Sequence, residues 1–347
     1  MIAPADDPTL ADAFTAPWWL RGAHGQTVWG RFTRPRRRVA MRREILTTPD
    51  DDDLVLDHLV HPVEAVPDEE LHFVLLHGLE GSSYSVYIQG LFSIIAGYGA
   101  HATALNFRSC ALDPQRMLWL PNRRPRLYHS GETTDLDFVL RTLKARHPAR
   151  RFVAFGASLG GNVLLKWLGE HPSERLVEAA ATLSVPYDLG AGARHLERGI
   201  GRFYAASFLR SLKIKVASVA QRFPETTAVL DLRRINGART FVEFDDAATA
   251  PLHGFHGVDD YYGRSSSIGY LGRIEVPTLC LSSHDDPFLP ASALPAVRAA
   301  VSASVHLQLT DRGGHVGFVS GRLPWRTTYW AEELVVRWLM ARMHVLQ

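Results

Sequence analysis

Cysteine is almost absent from this chain: Cys110 and Cys280 are the only two among 347 residues. Neither belongs to a Cys-x-x-Cys pair, so a disulfide framework is excluded as the organising device and reduced thiols are expected. No apolar run reaches the ~18 residues that a bilayer-spanning helix needs. The opening residues Met1-Ile2-Ala3-Pro4-Ala5-Asp6-Asp7 have neither the basic start nor the apolar centre of a signal peptide. Together these absences predict a soluble, cytoplasmic protein. Charge of one sign is also scarce, because the formal net charge is only +2. That is too close to neutral for a nucleic-acid binder. Phosphate-loop (Gly-x-x-x-x-Gly-Lys) and Rossmann fingerprints are missing, and His253-Gly254-Phe255-His256 lacks the His-Glu-x-x-His zinc pattern. No cofactor and no metal are therefore expected.

The residues that are present suit a folded enzyme. A hydrophobic fraction of 46% is ample for a buried core. Arginines 34, 36, 37, 38, 42 and 43 form a local basic run, read as a solvated surface. The arm around Arg36 is also a candidate for weak contact with an anionic lipid surface. Asp50-Asp51-Asp52-Asp53 follows and reads as a solvated turn between two strands.

Residues 1 to about 42 read as an N-terminal arm packing on the body. Arg43–Thr47 and Leu54–Leu59 suit a hairpin, and His72–Leu76 suits a strand buried on both faces of a parallel sheet. Further strands are expected at His101–Asn106, Phe152–Phe155, Ala179–Ser184, Thr278–Ser282 and His306–Leu309. Helical patterns fall at Ile88–Tyr98, Leu136–Ala145 and Leu159–Leu168. This alternation predicts an α/β fold with a doubly wound, mostly parallel sheet. Roughly ninety residues separate the strands ending near Ser184 and starting near Thr278, far beyond an ordinary connection. Phe203–Val219 within them has helical periodicity. One domain spanning 1–347, with a helical cap inserted at about 187–270, accounts for this spacing.

Gly156-Ala157-Ser158-Leu159-Gly160 carries the chemistry. Gly-x-Ser-x-Gly by itself is a weak signal, since composition alone supplies roughly 0.1 copies in such a chain. Here it sits between an apolar strand and a helix, the layout of a nucleophile elbow. A serine hydroxyl needs a base, and the base needs an acid to orient it. In chain order, Ser282-Ser283-His284-Asp285-Asp286-Pro287 offers Asp286 as the acid, with Asp285 and Asp188 as alternatives. Gly313-Gly314-His315-Val316-Gly317 offers His315 as the base. Two backbone amides are expected to bind an oxyanion: that of Leu159 at the helix start and that of Leu79 in His77-Gly78-Leu79-Glu80-Gly81. His77 is read as a brace for its loop.

These motifs, with Pro17–His24, Tyr128-His129-Ser130-Gly131, Val185-Pro186-Tyr187-Asp188, Phe244-Asp245-Asp246 and Asp260-Tyr261-Tyr262, resemble the YheT-like (hydrolase-4) family of the α/β-hydrolase superfamily. The resemblance covers most of the chain. It implies an esterase whose nucleophile, acid and base fall on Ser158, Asp286 and His315. The family's Asn-Phe-Arg-Gly-Cys reads Asn106-Phe107-Arg108-Ser109-Cys110 here, and the long stretch Ala111–Leu127 is expected to reshape the pocket.

The combined expectation is a serine carboxylic-ester hydrolase acting on a small-molecule acyl ester through an acyl-enzyme. Its acyl chain is expected against the cap residues Phe203, Tyr204, Phe208 and Leu209. The alternatives are acyl transfer through the same intermediate and a non-catalytic binding protein on a hydrolase fold. The sequence carries no signal for an oligomeric state.

Overall fold

The computed structural model describes residues 10, 13–34, 39–61 and 71–345. Arg36, Arg37 and Arg38 of the basic run lie outside these residues. In chain order the first elements are α1 (Ala23–Thr33), β1 (Met41–Thr47), β2 (Asp53–Leu59), β3 (Leu71–Leu76), α2 (Val86–Gly97), β4 (His101–Asn106) and α3 (Thr134–Arg146). β5 (Arg151–Ala157), α4 (Leu159–Glu170) and β6 (Ala179–Leu183) follow. The segment before the next strand is helical: α5 (Leu189–His195), α6 (Gly201–Arg222), α7 (Leu232–Gly237), α8 (Phe241–Phe244), α9 (Ala250–Leu252) and α10 (Val258–Ser265). A π-helical turn, Asp245–Thr249, joins α8 to α9. The chain returns through β7 (Thr278–Ser283), α11 (Leu294–Ala300) and β8 (Val305–Thr310), and ends on β9 (Val319–Leu323), β10 (Arg326–Tyr329) and α12 (Trp330–Val345).

Eight strands form one sheet in the order β1-β2-β4-β3-β5-β6-β7-β8, antiparallel at β1, β2 and β4 and parallel from β4 to β8. Side chains alternate across a strand, and both faces of the central strands are buried. Val74, Leu76, Phe152 and Ala154 pack with α3 and α4, whereas Phe73, Leu75, Val153 and Phe155 pack with α2 and α12. A third apolar cluster lies almost wholly within the helical segment and includes Leu209, Val216, Ile235, Phe241 and Phe244. The segment thus has its own core, and it adds Leu127 from the long Ala111–Leu127 stretch.

The acidic run and two residues of the basic run differ from the sequence expectation, while Arg42 is exposed as expected. The acidic turn closes the β1–β2 hairpin, but Asp52 is wholly buried and Asp50 and Asp52 both accept hydrogen bonds from the buried Arg108 guanidinium. Asp135 completes that cage. A guanidinium withdrawn from water needs such partners, because an unpaired buried charge is far more costly than a paired one. Of the basic run, Arg43 pairs with Asp57, while Arg34 pairs with the buried Glu332 and lies over the Tyr329 ring. The sequence reading also left out α1, the small β9–β10 hairpin and α12. Among the described residues no helix is long and apolar enough to cross a membrane.

Candidate active site

Ser158 lies between β5 and α4 with φ 51° and ψ −122°, a conformation that L-residues rarely adopt. The turn closes only because its flanks are glycines. A Cβ on Gly156 would lie 2.5 Å from the Gly160 carbonyl oxygen, and one on Gly160 would lie 2.5 Å from the His77 carbonyl oxygen. Asn162, one turn into α4, ties this helix to its surroundings. Its side chain donates to the Ser130 and Ser265 carbonyls and accepts from the Ser267 amide.

The structure brings three of the predicted residues into one chain of hydrogen bonds. Ser158 Oγ is 2.9 Å from His315 Nε2, and His315 Nδ1 is 2.9 Å and 3.1 Å from the two carboxylate oxygens of Asp286. A carboxylate at Nδ1 keeps the proton on that nitrogen, which leaves Nε2 to accept from the serine hydroxyl. Asp286 and His315 are both buried, and Asp286 also accepts from the Phe288 amide. The two alternative acids lie elsewhere in the network. Asp285 accepts from the Gly314 amide, and Asp188 caps α5 by accepting from the Ala191 amide.

Several residues that hold His315 went unrecognised in the sequence. Thr27 of α1 accepts from the His315 amide, Ser184 accepts from the Val316 amide, and the Phe288 ring stacks on the imidazole at 4.2 Å. Gln26 is wholly buried; it donates to the Leu20 and Val319 carbonyls and accepts from the Val319 amide, so α1 is sewn to the chain just after the histidine. The readable signal was polar: Gln26 and Thr27 stand in a segment otherwise rich in aromatics and glycine.

On the opposite side of Ser158, Gly78 approaches so closely that a Cβ there would lie 3.1 Å from the serine Cβ. The Gly78 amide donates to Tyr87 Oη, and its carbonyl accepts from the His77 ring and the Gly81 amide. Leu79 follows, and Leu159 is the first residue of α4, where amides have no partner within the helix. His77 has both ring nitrogens engaged, since Nε2 accepts from the Phe107 amide. Burial pushes its pKa down to about 4, so it stays neutral.

Ser158, Leu79, Leu159 and His315 open onto a cavity of about 700 Å³. The helical segment supplies much of its apolar wall through Leu196, Tyr204, Phe208, Leu212, Phe241 and Phe244. Here the sequence reading needs correction. Tyr204 and Phe208 do face the cavity, but Phe203 is 76% exposed and Leu209 is buried in the segment's own core. Leu112 and Met117 of the long stretch also line it, as does Asp245, whose burial pushes its pKa up to about 6. Among the described residues one group, Asp137, His171 and Glu174, has metal-like spacing. It lines no part of the cavity, and Arg141 already pairs with both of its carboxylates.

A strand-to-helix elbow beneath a helical segment, with an acid after β7 and a histidine after β8, is the layout of an α/β-hydrolase. The family model for the alpha/beta hydrolase fold matches residues 72–321. The chain is 35% identical over 316 residues to the putative esterase YheT of Escherichia coli K12, covering 91% of this chain and 89% of that protein. It is 30% identical to human phospholipase ABHD3, covering 93% and 77%, and 28% identical to a monoacylglycerol lipase of Saccharomyces cerevisiae, covering 86% and 63%. Among solved structures, an esterase of Pyrococcus furiosus superposes with a TM-score of 0.53 at 14% identity, covering 88% of this chain and 96% of that one. The chain belongs to the α/β-hydrolase family, in its YheT-like branch of esterase and lipase type.

Proposed function

We propose that this protein is a serine carboxylic-ester hydrolase working through an acyl-enzyme. The observation that carries the reading is the Ser158–His315–Asp286 relay opening onto the cavity. Ser158 Oγ attacks the acyl carbonyl carbon while His315 Nε2 takes the hydroxyl proton. Asp286 holds the ring and stabilises the imidazolium. The carbonyl oxygen, now an oxyanion, accepts from the amides of Leu79 and Leu159, each such donor being typically worth about 3 kcal/mol. Collapse expels the alcohol, which takes the proton from His315. Water then attacks the acyl carbon, returning a proton through His315 and releasing the acid. The sequence of steps needs no group beyond the chain, the ester and water.

The aromatic and aliphatic wall from α5, α6 and α8 favours an acyl chain as the recognised part. The names of the relatives (esterase, phospholipase, monoacylglycerol lipase) all denote ester hydrolysis and support the same class. The test is hydrolysis of p-nitrophenyl esters of increasing acyl length by wild type and Ser158→Ala. The expected loss in kcat for the variant is about 10⁴-fold or more. Equal turnover by both proteins would overturn the reading.

A further inference from the structure

We propose that Lys215, on the inserted helix α6, is a positioning residue for the oxyanion-binding loop, so that ester hydrolysis depends on how the insertion is docked. This rests on the reading just given. Leu79 N–H belongs to the same rigid peptide plane as Gly78 C=O, and the two point in opposite directions. Whatever holds the Gly78 carbonyl therefore aims the Leu79 amide. His77 and the Gly81 amide hold it, at 2.7 Å and 3.0 Å.

The remaining freedom lies at Glu80, a non-glycine residue with φ 55°. Such a conformation persists only when its surroundings over-determine it. The Glu80 amide donates to Tyr128 Oη at 2.8 Å, and the Tyr128 hydroxyl donates back to Glu80 Oε1 at 2.7 Å. Two more donors come from α6. Lys215 Nζ reaches Oε1 at 2.6 Å, and the Ser211 hydroxyl donates to Oε2. Lys215 and Glu80 are both nearly closed off from solvent, with side chains 4% and 10% exposed. Lys215 also reaches Cys110 Sγ at 3.4 Å, but burial pushes that thiol up to about 11, so the counter-charge of the ammonium is Glu80.

A buried ion pair adds little stability over well-packed apolar residues, and its best-attested use is to specify one arrangement. Here the arrangement specified is that of an inserted helix against the residue next to Leu79. Without the ammonium, the Glu80 carboxylate is left buried with two neutral hydroxyl donors. It then swings toward water, and that change releases the left-handed backbone that follows Leu79.

The test compares Lys215→Met, Lys215→Arg and Ser211→Ala with wild type on a p-nitrophenyl ester. It is joined to amide hydrogen exchange at residues 79–81. For Lys215→Met the expectation is kcat lower by about 10²-fold with KM within about threefold. Exchange at residues 79–81 should be faster, while that of the central strands stays unchanged. Lys215→Arg should recover at least a tenth of the wild-type kcat. Ser211→Ala removes one neutral hydroxyl, leaves the charge pair intact, and should lower kcat by about threefold to tenfold; it decides the matter if Lys215→Met does not fold. An active wild type whose variants keep kcat within twofold, or change KM alone, would overturn the positioning role and leave ester hydrolysis standing. A wild type without Ser158-dependent turnover would overturn both.

Discussion

Ser158 and His315 are held in place by opposite means. The serine rests on backbone: a positive φ, two glycines with no room for a Cβ, and a strand and helix that follow one another directly. The histidine rests on side chains that come from elsewhere. Its loop has positive φ at Gly313, Gly314, Val316 and Phe318, and it is fastened by Thr27, Ser184, Asp285 and Phe288. An elbow of the first kind is built mainly by its own strand and helix, with the His77 carbonyl closing against Gly160. A loop of the second kind is built only when α1, some 290 residues earlier, docks beside it. The turn that carries Ser158 therefore draws mainly on its own segment, whereas the loop that carries His315 is assembled by the tertiary fold.

The comparison yields three further tests. The largest effect is expected at Asp286, the proposed acid. Asp286→Asn should lower kcat by about 10³- to 10⁴-fold, because an amide no longer fixes the tautomer that presents Nε2 to the serine. Asp285→Asn, which can still accept from the Gly314 amide, should stay within about threefold. Equal losses would break the distinction between the acid and its neighbour.

The second test contrasts the two histidines flanking Ser158. His77 is held neutral by burial, with its pKa near 4 against an ordinary 6.5. Between those values the unfolded chain binds a proton that the folded chain does not. Stability therefore falls as pH drops from about 6.5 to 4, by roughly 3 kcal/mol for this group alone. Urea midpoints across that range should show the slope, and His77→Gln, which does not titrate, should make it shallower by this group's share, the buried His72, His129 and His253 keeping theirs. An unchanged slope would remove His77 as a contributor.

The smallest effect is expected at the fastening itself. Thr27→Val keeps the shape but removes the acceptor for the His315 amide, leaving a buried N–H unpaired at a cost of about 1–2 kcal/mol. A drop in kcat of about tenfold with little change in KM would place that cost on the histidine loop. Wild-type kcat in Thr27→Val would show that the loop keeps its shape without this hydrogen bond.

Much of this was legible. The alternation of strand-like and helical runs predicted a mostly parallel sheet, and the apolar run His72–Leu76 predicted a strand buried on both faces, as β3 is. The gap of roughly ninety residues predicted an inserted helical segment, and helices from Leu189 to Ser265 lie there. Chain order also singled out Ser158, Asp286 and His315, which lie in hydrogen-bond contact. The α12 pattern is also readable in the sequence, where Leu334, Val335, Trp338 and Leu339 recur at helical spacing, and all four are buried. The acidic turn misled because a run of aspartates reads as solvated unless its cation is known, and Arg108 lies more than fifty residues away.

The sequence by itself determined the elbow, the strand order along the chain and the residue types available for catalysis. These depend on local sterics and on side-chain periodicity, which a contiguous segment carries within itself. Only the tertiary structure decided which aspartate faces the histidine, which aromatic residues of the insertion line the cavity, and that Lys215 meets Glu80. Those outcomes turn on the direction in which a side chain leaves a packed element. That direction is fixed by partners brought from distant parts of the chain.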